Sequence, residues 1–126
     1  MTKPLRTQFI VADGTHSRWV RRAETADDFV TVREIKTHTF AGGHGHVAGD
    51  HDVAAFARSV AEAINAEAQA GHDDRFAVIA PTRTLAAILA DLTPVARAKI
   101  RRTLAKDLAG VPDHALGEWL RPLELG

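Results

Sequence analysis

Histidine and glycine are concentrated in one run of this sequence, residues 37–51. The run holds four of the seven histidines and four of the nine glycines of the chain. Glycine allows a backbone to approach a ligand closely, and imidazole can bind phosphate, stack on a base or ligate a metal. The centre of the run is therefore the candidate functional loop, with a flexible surface loop as the alternative. The candidate loop consists of Gly42, Gly43, His44, Gly45 and His46.

Metal binding is one chemistry that these histidines suggest. His44, His46 and His51 could supply three imidazole nitrogens to Zn²⁺, Ni²⁺ or Cu²⁺, which favour this ligand. Their spacing matches no familiar site, and a histidine-rich loop often binds added metal adventitiously, so a native metal site is the less favoured interpretation. His44 could alternatively serve a hydrolase as a general base. No cofactor is predicted.

Two groups of basic residues are candidates for phosphate contact. Such residues bind phosphate by charge and do not read a base sequence. The chain has sixteen acidic and sixteen basic residues, so any RNA contact has to come from a local patch. Solvated surface charge is the alternative interpretation. The first group is Arg97, Lys99, Arg101 and Arg102, with Lys106 beside it, and the second is Arg18, Arg21 and Arg22.

Composition excludes several classes of protein. The chain has no cysteine, which excludes disulfides, thiol catalysis and cysteine-ligated metal sites. Its 126 residues predict a single domain spanning 1–126. No apolar run approaches the roughly 20 residues that a membrane span needs, and Met1 to Arg6 lack the apolar core of a signal peptide. We therefore expect a cytoplasmic protein without membrane insertion.

The first half of the chain predicts a three-stranded meander followed by a helix. Thr7 to Ala12 and Arg18 to Arg22 are strand-like runs around Asp13-Gly14, which predicts a hairpin with Asp13 as a turn residue. A third strand is expected from Phe29 to Ile35. From Asp50 the apolar residues follow helical spacing, with one stripe facing a core. The stripe is Val53, Phe56, Ala57, Val60, Ala61 and Ile64.

The second half predicts a buried strand between helices. Arg75 to Ala80 is an unalternated apolar run typical of a central strand, and a helix starts at Pro81 and Thr82. Residues 98–106 are ambiguous, and their spacing alone slightly favours a helix. Asp113 is the expected N-cap of a last helix that carries Leu116, Trp119 and Leu120 on one face. Trp19 and Trp119 are expected to pack in or beside the core.

Three short motifs resemble those of the bacterial proteins labelled "required for attachment to host cells". They are Val11-Ala12-Asp13-Gly14 at the end of the first strand, Val78-Ile79-Ala80-Pro81 at the end of the buried strand, and Lys106-Asp107-Leu108. That group is in turn similar to the middle domain of archaeal and eukaryotic class-1 release factors and of Pelota, which has an RNase H-like layout. The resemblance implies that residues 98–106 complete the sheet as a strand.

The fold class expected from pattern and resemblance together is α/β, with a mixed five-stranded sheet covered by helices. In release factors a Gly-Gly-Gln loop follows the third strand and reaches the peptidyl-transferase centre. This chain has Gly42-Gly43-His44 in the same topological place. Because His44 replaces the glutamine, the resemblance implies ribosome contact without implying hydrolysis.

Three functional hypotheses follow from these observations. The first is a small non-catalytic module that binds the ribosome or RNA through the Gly42-Gly43-His44 loop. The second is a hydrolase or metal-dependent enzyme built on the same loop, and the third is an attachment-related protein that acts through protein contacts. An exposed edge of the expected sheet could also pair with a second copy, which leaves a homodimer open.

Overall fold

The computed structural model describes residues 7–23, 28–36, 50–70 and 75–124, with the backbone alone for residues 50–52. Five strands form one mixed sheet in the order β3-β2-β1-β4-β5. The β1–β2 and β2–β3 pairs are antiparallel, and the β1–β4 and β4–β5 pairs are parallel. This confirms the predicted α/β class. The strands are β1 (Thr7–Ala12), β2 (His16–Arg22), β3 (Phe29–Lys36), β4 (Arg75–Ala80) and β5 (Ile100–Ala105).

Four helices accompany the sheet in the described residues. They are α1 (Asp50–Gln69), α2 (Thr82–Ala90), α3 (Pro94–Lys99) and α4 (Gly117–Leu120), with 3-10 turns at Asp113–Ala115 and Arg121–Leu123. Long α1 and the two shorter helices that follow it cover one face of the sheet, and the C-terminal segment from Leu108 onward covers the other. The sheet is therefore the middle layer of three.

Alternating side chains of the central strands pack into two separate hydrophobic cores, one on each face of the sheet. Ile10 of β1 and Val78 of β4 point to the helical side, whereas Phe9 and Ile79 point to the C-terminal segment. All four side chains are fully buried. The predicted apolar run of β4 is thus confirmed as a central strand that is buried on both faces.

The β1–β2 turn follows from Asp13. Its Oδ1 accepts the backbone N–H groups of Thr15 and His16, both at 2.7 Å, which confirms Asp13 as a turn residue. Gly14 packs closely on α1, because a Cβ at this position would lie 3.2 Å from Cγ2 of Val53 and would push that side chain by a few tenths of an ångström. The turn therefore sits directly against the long helix.

The predicted apolar stripe of α1 is confirmed. Phe56, Val60 and Ile64 are buried against the sheet. A polar side chain joins the same helix to the next two helices, because Asn65 donates to the carbonyl of Asp91 and accepts the N–H of Thr93. These bonds fix the connection between α2 and α3 over α1.

Residues 94–105 form a short helix and then a strand. The local preference for a helix is correct up to Lys99 and wrong from Ile100, where the strand implied by the resemblance is confirmed. Parallel pairing with β4 supplies the backbone hydrogen bonds of β5. Ile100 and Leu104 pack on opposite faces of the sheet, and such packing overrides weak helical spacing.

The single last helix predicted from Asp113 was wrong. The chain instead forms a 3-10 turn, the four-residue α4 and a second 3-10 turn, and Asp113 caps none of them with its side chain. Its carboxylate bonds to residues of β2 and β3 instead. The apolar spacing was nevertheless informative, since Leu116 and Leu120 are fully buried.

Candidate functional site

The candidate loop Gly42, Gly43, His44, Gly45 and His46 lies outside the described residues. In the sequence it lies between the end of β3 at Lys36 and the start of α1 at Asp50. His51 lies in the first turn of α1, and its side chain also lies outside the described part. The loop, its contact role and the histidine metal site therefore stay predictions.

Three of the predicted phosphate contacts are exposed on consecutive elements. Arg97 lies in the last turn of α3, and Arg101 and Arg102 lie at the start of β5. We call these three residues the basic strip. No acidic residue occurs from Leu92 to Lys106, so no neighbour in this part of the sequence neutralises the positive charge. Guanidinium groups can donate two parallel hydrogen bonds to one phosphate.

A register shift in the β4–β5 pair leaves an extra residue in the strand that carries two arginines of the strip. Phe76 pairs with Ile100 and Ala77 pairs with Arg102, so Arg101 is an extra residue in β5. Because β5 ends the sheet in the described residues, Arg101 and Arg102 line a sheet edge rather than a single flat face.

The two lysines near the strip already have protein partners. Lys99 is half-buried and its Nζ donates to the carbonyl of Ala68 at 3.2 Å. This carbonyl lies at the C-terminal end of α1, where the helix dipole also stabilises a positive charge. The Nζ of Lys106 lies 4.0 Å from the ring centroid of Trp119, a cation–π contact. The arginines are therefore the better candidates for phosphate contact.

The three arginines of the second basic group differ in exposure. Arg21 is exposed, and Arg22 is exposed but forms an ion pair with Glu124. Arg18 is only 7% exposed, so its expected place in a phosphate-binding surface was wrong. The reason is strand geometry: Arg18 lies two residues before the buried Val20 and therefore shares its face of the sheet.

Arg18 instead joins β2 to the C-terminal segment. Its guanidinium donates to Asp113 Oδ1 at 3.1 Å, to the carbonyl of Leu108 at 3.1 Å and to the carbonyl of Val111. Asp113 also accepts the N–H of Thr31 at 3.0 Å and its hydroxyl at 2.6 Å. We call Arg18, Thr31 and Asp113 the clamp. Sequence analysis missed it, because β2 carries three arginines and its sequence does not mark Arg18 as the buried one.

A shallow groove of about 530 Å³ lies above the clamp. Four consecutive residues of β3 line it, so the groove runs along that strand. Within the described residues, β3 is the edge of the sheet opposite to β5. The groove residues are Thr31, Val32, Arg33 and Glu34 of β3, with Arg18 and Asp113.

Within the described residues, no three histidine, cysteine or carboxylate side chains come together in a way that could ligate a metal. Among the helices described, none combines the length and the apolar character needed to cross a bilayer.

Comparison with known proteins gives a family assignment. No curated protein matches the chain. A family model described as "Protein required for attachment to host cells" matches residues 37–120, which is most of the chain and includes the candidate loop, α1, β4, the basic strip and Asp113. The chain therefore belongs to the family of proteins required for attachment to host cells.

Proposed function

We propose that the chain is a non-catalytic binding module with a role related to host-cell attachment. It contacts the phosphates of RNA, free or in the ribosome, through the basic strip. Family membership supports the attachment-related role. The proposed RNA contact comes from the resemblance of the sequence motifs to those of release-factor middle domains.

The observation that carries the RNA contact is the exposure of the three arginines. Arg97, Arg101 and Arg102 fall within six consecutive residues and all are exposed. The flanking lysines are partnered within the protein, whereas the strip arginines extend the charge along a sheet edge. Binding by such a strip depends on charge, so it is sensitive to salt and tolerant of RNA sequence.

Co-sedimentation with ribosomes tests the proposal. At low salt we expect the wild-type chain to pellet with ribosomes and to leave the pellet as salt rises. The double variant Arg101→Ala/Arg102→Ala should stay mainly in the supernatant, since two phosphate contacts are lost. A matched double variant, Arg58→Ala/Arg83→Ala, removes two exposed arginines from α1 and α2 and should pellet like the wild type. Equal pelleting of both double variants would refute a role for the strip.

The candidate loop is proposed as a second contact. His44→Ala should weaken ribosome binding several-fold at constant salt, because an imidazole can stack on a base or bind a phosphate. His114→Ala, which removes an exposed histidine in the C-terminal segment, is the matched control. If both variants bind like the wild type, the loop has no part in the contact, and the strip remains to be judged by its own variants.

Attachment through protein contacts is the second candidate function. It is favoured by the family match and by the groove along β3, which has the form of a site for an extended segment of another chain. The two functions differ in their salt dependence and in the surface used. A chain that attaches through the groove retains its partner when Arg101 and Arg102 are replaced.

A further inference from the structure

Trp119 differs from the other aromatic side chains that the structure describes. Trp19 and the four described phenylalanines are at most 3% exposed. Trp119 is only half-buried, and it packs against the core that the C-terminal segment covers. Because it is the one described aromatic residue that also reaches the surface, it is the one on which a ligand can stack without disturbing a core.

A solvated side chain lies over the ring of Trp119. The Nζ of Lys106 is 4.0 Å from the ring centroid, and Lys106 is exposed. An exposed cation–π contact changes an equilibrium constant by roughly two- to fivefold, whereas a base stacked on an aromatic ring changes it by roughly five- to 150-fold. A nucleic-acid base can therefore displace the ammonium group of Lys106 from the ring.

Trp119 lies on the same face of the sheet as one arginine of the basic strip. Arg102 pairs with Ala77, which is buried in the core under the C-terminal segment. Leu104, two residues after Arg102, packs against the same core, so strand alternation puts Arg102 on this face as well. Lys106 follows at the same interval and contacts Trp119. Positive charges along a strand beside an aromatic ring are typical of proteins that bind single-stranded nucleic acid.

Acidic residues beside the ring indicate which part of a nucleotide it accepts. Glu118 precedes Trp119 and Asp107 follows Lys106, and both acidic residues are exposed. Their negative charges disfavour a phosphate directly over the ring, whereas an uncharged base is not repelled. Arg102 lies four residues before Lys106 along the chain, further from both acids in sequence, and is the better placed group for a phosphate.

We propose that Trp119 is a stacking platform for a base of single-stranded RNA. Arg102 holds a neighbouring phosphate, and Lys106 holds another once the base has displaced it from the ring. This inference rests on the proposed RNA contact and names its substrate class. Unpaired RNA is preferred over a duplex, because bases inside a duplex are stacked on one another and are not free to stack on a side chain.

Tryptophan fluorescence of the full chain tests the stacking. The chain has two tryptophans, and Trp19 is only 2% exposed, so a stacked base can quench the emission of Trp119 alone. A single-stranded oligouridine should quench the emission with the same midpoint as its binding, measured by anisotropy. An RNA duplex of the same length should leave the emission unchanged. Trp119→Phe keeps a ring but leaves Trp19 as the single tryptophan, and this control should show no quenching.

Salt dependence separates the ring from the strip. Trp119→Leu keeps an apolar side chain against the core and should weaken oligouridine binding about tenfold, with an unchanged slope of log K against log salt, since no phosphate contact is lost. Trp119→Phe should retain most of the affinity. Unaltered circular dichroism shows that both variants remain folded.

Three results would overturn the stacking and leave the strip as a contact by charge alone. They are salt-sensitive binding of oligouridine without quenching, equal quenching by the duplex, and wild-type affinity in Trp119→Leu. A wild type that fails to bind oligouridine even at low salt would overturn the proposed RNA contact together with the stacking.

Discussion

Arg18 shows what a residue type can and cannot reveal. Its charge suggested a surface role, whereas its place in β2, on the face covered by the C-terminal segment, leaves it only 7% exposed. The partner that makes this burial possible, Asp113, is 95 residues away in the chain. Asp113 in turn resembles a helix cap when only its neighbours are considered. Neither role could be predicted locally, because each is defined by a contact between distant segments.

Asp113→Ala should destabilise the protein by about 2 kcal/mol. The substitution leaves the buried Arg18 without its carboxylate and removes the acceptor for both the N–H and the hydroxyl of Thr31. Urea unfolding followed by circular dichroism measures this loss.

Asp91→Ala is the matched control for this prediction. The side chains of Asp91 and Asp113 are 40% and 39% exposed, so the two substitutions remove the same group at equal exposure. The ion pair of Asp91 with Arg58 is at the surface with a 4.0 Å separation, and its loss should cost less than about 0.5 kcal/mol. Equal unfolding midpoints for the two variants would show that the clamp does not stabilise the fold.

At the scale of elements, regular periodicity made most of the fold predictable. Three elements were predicted because a local sequence feature determines each of them. They are α1 with its apolar stripe, β4 with its unalternated apolar run, and the Asp-Gly turn. The C-terminal segment was not predictable in the same way. Leu116 and Leu120 are buried as their spacing indicates, but short turns satisfy that spacing as well as one helix does.

Val60→Asp should unfold the protein. Val60 is fully buried in the core between α1 and the sheet, and an unpaired carboxylate there should cost more than about 4 kcal/mol, a large share of the roughly 5 to 15 kcal/mol that stabilises a typical domain. Ser59→Asp is the control, because Ser59 is the exposed neighbour on the same helix. Circular dichroism should show native helix content in Ser59→Asp alone, and a cooperative, native-like Val60→Asp would contradict the packing described for α1.

At the scale of the whole molecule, the two edges of the sheet have different surfaces. β5 carries the basic strip, and β3 carries exposed valines with charges of both signs beside a groove. Strand order alone determines that these features are at opposite ends of one sheet. The basic residues of the first group could be identified from the sequence, but their separation into exposed arginines and partnered lysines required the packing of α1 and α4.

The salt dependence of RNA binding tests the strip most directly. Fluorescence anisotropy with a single-stranded RNA oligonucleotide gives the slope of log K against log salt, which is roughly −0.7 for each phosphate contact. Replacing Arg101 and Arg102 together should weaken binding and make the slope shallower by roughly 1.4, while Arg58→Ala/Arg83→Ala leaves both quantities unchanged. An affinity and slope that are the same in all three proteins would contradict phosphate contact through the basic strip.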